Sequence, residues 1–155
     1  MSNILKLIIS LLIPQIAGGI GSLFTMSKIP SWYAGLVKPS FNPPSWVFGP
    51  VWTTLFLLMG YALYMVWRGP KTQGQNIALI VFGVQTVLNT LWSILFFGLQ
   101  SPGWALVEIV FLWLAILFTI ILFWRLNRTA GVLLLPYILW VSFAMFLNYS
   151  IWRLN

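Results

Sequence analysis

Residues Gly103–Trp124 read GWALVEIVFLWLAILFTIILFW, an apolar run of 22 residues with one ionisable side chain, Glu108. At about 1.5 Å of rise per residue, such a run reaches roughly 33 Å as a helix, enough for the roughly 30 Å hydrocarbon core of a bilayer. A backbone can cross that core only if its N–H and C=O groups are satisfied within the segment, so an isolated apolar run of this length must be helical. Four further runs flank it: Ile4–Met26, Val47–Trp67, Ile77–Leu99 and Ala130–Trp152. The expected fold is an all-α integral membrane protein, a bundle of five transmembrane helices forming a single domain over residues 1–155. The first run differs from a cleaved signal peptide, because its apolar stretch continues past Pro14 and no clean small-x-small cleavage site follows.

Composition agrees. Hydrophobic residues make up 61% of the chain and charged residues only 6%, with a mean hydropathy of +0.97. A soluble domain carries roughly a quarter of its residues as charges, whereas a bilayer solvates apolar side chains directly. The net charge of +7 is dispersed over Lys6, Lys28, Lys38, Arg68, Lys71, Arg125, Arg128 and Arg153, nearly all in gaps between the apolar runs. That placement suits lipid headgroups and topology signals, and it argues against nucleic acid as a partner. Lys6, Arg68, Lys71, Arg125 and Arg128 share one side of the membrane, which the positive-inside rule makes cytoplasmic; the segment after the first span then lies outside.

Cysteine and histidine are absent, which excludes disulfides, thiolate nucleophiles, imidazole bases and imidazole or thiolate metal ligands. With Glu108 the sole acid, neither a two-carboxylate mechanism nor a Ser-His-Asp triad can be assembled in one chain. No cofactor or metal is expected.

The connections at Arg68–Asn76, Gln100–Pro102 and Arg125–Thr129 are short, so successive helices should pack antiparallel. Ser27–Trp46 is long and carries Pro30, Pro39, Pro43 and Pro44 among Trp32, Tyr33, Phe41 and Trp46. Proline blocks helix while the aromatics supply apolar mass, the makings of an ordered lid.

Ten tryptophans stand out. Trp32, Trp46, Trp67, Trp124 and Trp152 fall near span ends, where an aromatic belt accounts for them. Trp52, Trp92, Trp113 and Trp140 lie deeper, where an indole N–H needs an acceptor or a cavity; helix packing is the alternative. Gln85, Asn89, Trp92 and Phe96 share one face of the third helix by their spacing of four, three and four. Amides facing lipid would go unsatisfied, so this face should point inward, for interhelical hydrogen bonding or a ligand. Trp140, Ala144 and Asn148 form a second stripe. Together the two would line an apolar pocket with a few orienting polar groups. Glu108, reading onto the face of Trp104 and Phe111, is costly at membrane depth and serves as an anchor or a proton-coupling group. Small residues at Ala17, Gly18, Gly21 and Ser22 allow close helix approach, within one chain or in a homodimer.

The block Trp32-Tyr33-Ala34-Gly35-Leu36-Val37-Lys38-Pro39-Ser40-Phe41-Asn42-Pro43-Pro44, followed by Trp46-Val47-Phe48-Gly49-Pro50-Val51-Trp52, closely resembles the translocator protein family, also called TspO/MBR or tryptophan-rich sensory proteins. Leu88-Asn89 through Gly98, Gly103 through Glu108, and Leu135-Pro136-Tyr137 through Tyr149 agree in order and spacing, so the resemblance covers essentially the whole chain. It implies a ligand cavity beneath the first loop and binding of porphyrins such as protoporphyrin IX, of benzodiazepine-type ligands, and in animals of cholesterol. By motif, Trp52, Asn89, Trp92, Trp140 and Ala144 would line the pocket, with Asn89 donating to a ligand carbonyl and Trp52 and Trp140 stacking. The same two tryptophans would be the catalytic residues if the protein degrades porphyrin in light and oxygen. Leu147, Tyr149 and Arg153 match the family's sterol motif. Loop lysines Lys28 and Lys38 would meet ligand carboxylates. The sequence ends at Asn155 without the basic tail of animal members, so the expected location is a bacterial cell-envelope membrane, with the mitochondrial outer membrane as the alternative.

Overall fold

The computed structural model describes residues 1–155 and is all helical. Helix α1 spans Asn3–Thr25, α2 Phe48–Trp67, α3 Gln73–Ser93 and α4 Pro102–Leu126. The last span is two helices, α5 at Arg128–Leu133 and α6 at Leu135–Leu154. Five segments are long and apolar enough to cross a membrane, which bears out the five-span reading.

Local chemistry explains where the boundaries differ from expectation. The third helix begins at Gln73 rather than near Ile77, because the Thr72 hydroxyl caps it by accepting the Gln75 N–H at 3.1 Å. The Gln75 side chain then donates to the carbonyls of Val66, Trp67 and Gly69, satisfying the open end of α2. The final span is not one helix. Pro136 cannot donate a helical N–H, and the chain breaks at Leu134. Helix α3 ends in a single π turn at Ile94–Gly98.

Helix α3 packs most extensively on α4, and α1 on α2. Phe82 and Phe123 stack between α3 and α4 with ring centroids 5.7 Å apart. Helix α1 is peripheral, burying only Ser10, Pro14 and Gly21. Its small residues serve contact inside the chain: a Cβ at Gly18 would run into the Phe56 ring, and Gly21 lies against Ser93.

The segment between α1 and α2 is ordered, with short 3-10 turns at Tyr33–Gly35 and Ser45–Val47. The Tyr33 hydroxyl donates to Asn42 Oδ1 at 2.7 Å. Lys38 Nζ donates to the carbonyls of Tyr33, Leu36 and Ala34 at 2.9, 3.0 and 3.4 Å. Trp32 meets Phe96 and Phe97 edge-on, and Phe41 leans on Phe143 and Phe146 of α6.

Candidate functional site

A cavity of about 190 Å³ lies in the half of the bundle nearest this loop. The loop-proximal halves of α1, α2, α3 and α6 wall it, and Tyr33 closes it from the loop. Among the residues singled out from sequence, Trp52, Asn89, Trp92, Phe96, Trp140, Ala144, Leu147 and Asn148 line it. Gln85 does not. It sits one helical turn deeper, where the Tyr137 hydroxyl donates to its Oε1 at 2.7 Å.

Aromatic contacts set the walls. Trp52 and Trp140 meet edge-on with centroids 6.4 Å apart, and Phe48 meets Trp140 at 6.1 Å. Trp52 stacks on Phe56 at 5.5 Å, and Trp92 on Phe96 at 5.0 Å. These offset and T-shaped arrangements are those favoured by the ring quadrupoles. They fix the tryptophan planes and leave apolar faces toward the space between them.

Hydrogen bonds hold the frame. Trp92 Nε1 donates to Asn148 Oδ1 at 3.0 Å, and Asn148 Nδ2 donates to the Pro102 carbonyl at 2.8 Å. Asn89 Nδ2 donates to Tyr137 Oη at 2.8 Å, while the Tyr137 hydroxyl donates to Gln85 Oε1. Gln85 Nε2 donates to Thr86, whose hydroxyl donates to the Phe82 carbonyl. In a bilayer these groups have no water to fall back on, so they bond to one another inside the bundle. Asn89 thus spends one N–H on Tyr137, and the rest of its amide stays uncommitted at the cavity wall. Trp140 Nε1 is buried without a partner.

Other sequence-marked residues lie elsewhere. Trp113 donates to Ser142 at the α4–α6 seam. Glu108 is buried, whereas Trp104 and Phe111, assigned to its face, are exposed toward lipid. It occupies the border between the two faces, and neither carboxylate oxygen has a hydrogen-bond partner. The sterol-motif residues do not converge: Leu147 faces the cavity, while Tyr149 and Arg153 are exposed. Lys38 is spent on loop carbonyls. Trp32 packs from the loop onto Phe96 and Phe97 of the π turn. Tyr33, Phe48 and Tyr137 carry much of the site's geometry; each stood in a recognised motif, but only their contacts reveal the roles. Burial drives the Tyr33 phenol from 10.0 up to about 12.

Fold and site together define a polytopic membrane protein with an aromatic-walled cavity beneath an ordered loop. The chain matches the TspO/MBR family over residues 10–153 and belongs to that family. It is 48% identical over 139 residues to the tryptophan-rich protein TspO of Chlorobaculum tepidum, covering 89% of this chain and 88% of the relative. The protein of the same name from Archaeoglobus fulgidus is 45% identical over 153 residues, 99% of each chain. The translocator protein of Homo sapiens is 40% identical over 146 residues, covering 93% and 86% respectively. The chain is an integral membrane protein, and its bacterial and archaeal relatives fit a bacterial membrane. The names translocator and sensory protein among its relatives support a membrane receptor role.

Proposed function

We propose that the protein is a membrane receptor or carrier that binds flat hydrophobic ligands, porphyrins foremost, in the cavity under the first loop. One observation carries this reading: Trp52, Trp92 and Trp140 converge on an apolar space beside the half-committed amide of Asn89. Such a wall offers stacking surfaces plus one orienting polar group, the usual form of a small-molecule site. With no His or Cys to supply an axial ligand, a tetrapyrrole would be held by stacking. Its carboxylates would meet Lys28, since Lys38 is already engaged. At about 190 Å³ the closed cavity is only slightly larger than the roughly 150 Å³ that admits benzene elsewhere. A macrocycle would therefore need the side-chain walls to widen around it, with the loop lifting to admit it and closing again over it.

The test is a protoporphyrin IX titration followed by tryptophan fluorescence. Saturable quenching is expected in wild type, weakened in Asn89→Ala and Trp140→Phe. Quenching that never saturates, or that both variants leave unchanged, would refute the assignment. The contact of Trp52 with Trp140 also supports light- and oxygen-dependent breakdown of the bound porphyrin; bleaching at the wild-type rate in a Trp52→Phe/Trp140→Phe protein would exclude it.

A second reading, proton-coupled carriage, is favoured by the two partnerless oxygens of Glu108 inside the bundle. It requires pH-driven flux in proteoliposomes that Glu108→Gln abolishes; the absence of flux at every pH would rule it out.

A further inference from the structure

The loop over the cavity is tied to a distant part of the chain at one point. Asn155, the residue that caps α6, turns its side-chain amide onto Val37. Its Oδ1 accepts the Val37 backbone N–H at 3.1 Å, and its Nδ2 donates to the Val37 carbonyl at 2.8 Å. The same Nδ2 donates to the Ile151 carbonyl at 2.8 Å, which anchors the side chain in its own helix while it pairs with the loop. Only a primary amide offers both a fixed donor and a fixed acceptor, without charge, to match one residue's N–H and C=O. Every other hydrogen bond made by the loop stays within the loop or joins it to the ends of α1 and α2. What else fastens it to the bundle is apolar packing through Ile29, Trp32, Tyr33, Leu36 and Phe41.

Hydrogen bonds within the middle of the loop tie Val37 to the cavity wall. The Tyr33–Asn42 bond closes this segment, and the Lys38 ammonium gathers three carbonyls inside it. Tyr33 is both the start of that segment and part of the cavity wall. We infer that Asn155 is a positioning residue that latches this segment shut, setting how fast the loop lifts and therefore how fast ligand enters and leaves. The inference rests on the cavity being the ligand site.

Two assays test it. In the first, protoporphyrin IX association and dissociation are followed by stopped-flow tryptophan quenching. The latch grips the empty and the occupied protein alike, so Asn155→Ala should raise both rates together by about tenfold, equivalent to about 1.4 kcal/mol. Kd and the thermal midpoint should change little. Asn155→Asp keeps the acceptor for the Val37 N–H but sets a negative charge against its carbonyl, and it should also exchange faster than wild type. The second assay needs no ligand. The chain has no cysteine, so a spin label on Ser40→Cys reports loop motion alone, and adding Asn155→Ala should increase its mobility. Unchanged exchange rates in Asn155→Ala, with saturable binding in wild type, would overturn the latch and direct attention to a route between helices. Unchanged label mobility would overturn it as well. If protoporphyrin IX does not bind wild type saturably, the porphyrin reading falls, and the label assay alone decides the latch.

Discussion

Gly60→Ala would put a methyl where the backbones of α1 and α2 come into close contact. The added Cβ would stand 2.7 Å from the Ser10 carbonyl oxygen and 2.8 Å from Leu11 Cα. Both are backbone atoms, with no rotamer into which to retreat. Two effects oppose each other. Alanine is the better helix former, which favours the substitution by about 1 kcal/mol. Overpacking of a close contact costs typically about 1–3 kcal/mol, because relief here requires α1 to back away along its seam with α2. The clash should win, leaving a net loss of up to about 2 kcal/mol. Gly83→Ala is the paired control: nothing lies within 4 Å of its Cβ, so only propensity acts, and the change is neutral or a gain of up to about 1 kcal/mol. Reversible unfolding in mixed micelles of rising dodecyl sulfate fraction, followed by circular dichroism, measures both. A Gly60→Ala protein as stable as Gly83→Ala would refute the claim that this seam has no room.

Gly18→Ala would drive the Phe56 ring, which stacks on Trp52, toward the cavity; porphyrin affinity should fall several-fold, while Gly19→Ala, with open space around its Cβ, should bind normally in the same titration. Asn148→Leu strands the Trp92 indole N–H and the Pro102 carbonyl, and at about 0.6 kcal/mol and at most about 1.7 for each intramembrane bond it should cost about 1–2 kcal/mol in the micelle assay. Tyr33 supplies a pH test. Its folded value of about 12 lies above the ordinary 10.0, so the folded protein retains the phenolic proton longer than the unfolded chain. Its contribution is therefore constant below pH 10.0 and lost as pH rises toward about 12. Label mobility at residue 40 should rise across that window, and a flat profile would contradict the burial of Tyr33.

The sequence alone determined the number of spans, their approximate limits and the ordered loop. Span length follows from bilayer thickness, and the clustered prolines and aromatics of residues 27–46 leave few other outcomes. It also placed Asn89, Trp92 and Phe96 on one inward face, because helical spacing is a local property. Tertiary structure decided the rest. In water, burial separates apolar from polar residues, but in a bilayer the lipid-facing and core-facing sides are equally apolar. Phe111 and Leu112 are neighbours of one chemical kind, yet the first faces lipid and the second the core. Glu108 lies within one helical turn of exposed Trp104 and Phe111 and of buried Ala105 and Leu112, and only the packing decides that it is buried. Depth was equally hidden: Gln85 shares the face of Asn89 but is drawn out of the cavity layer by Tyr137, 52 residues away. Lys38 reads as a free cation until the turn geometry folds three carbonyls around it. The pairing of Val37 with Asn155 joins positions 118 apart, a contact that no local period encodes.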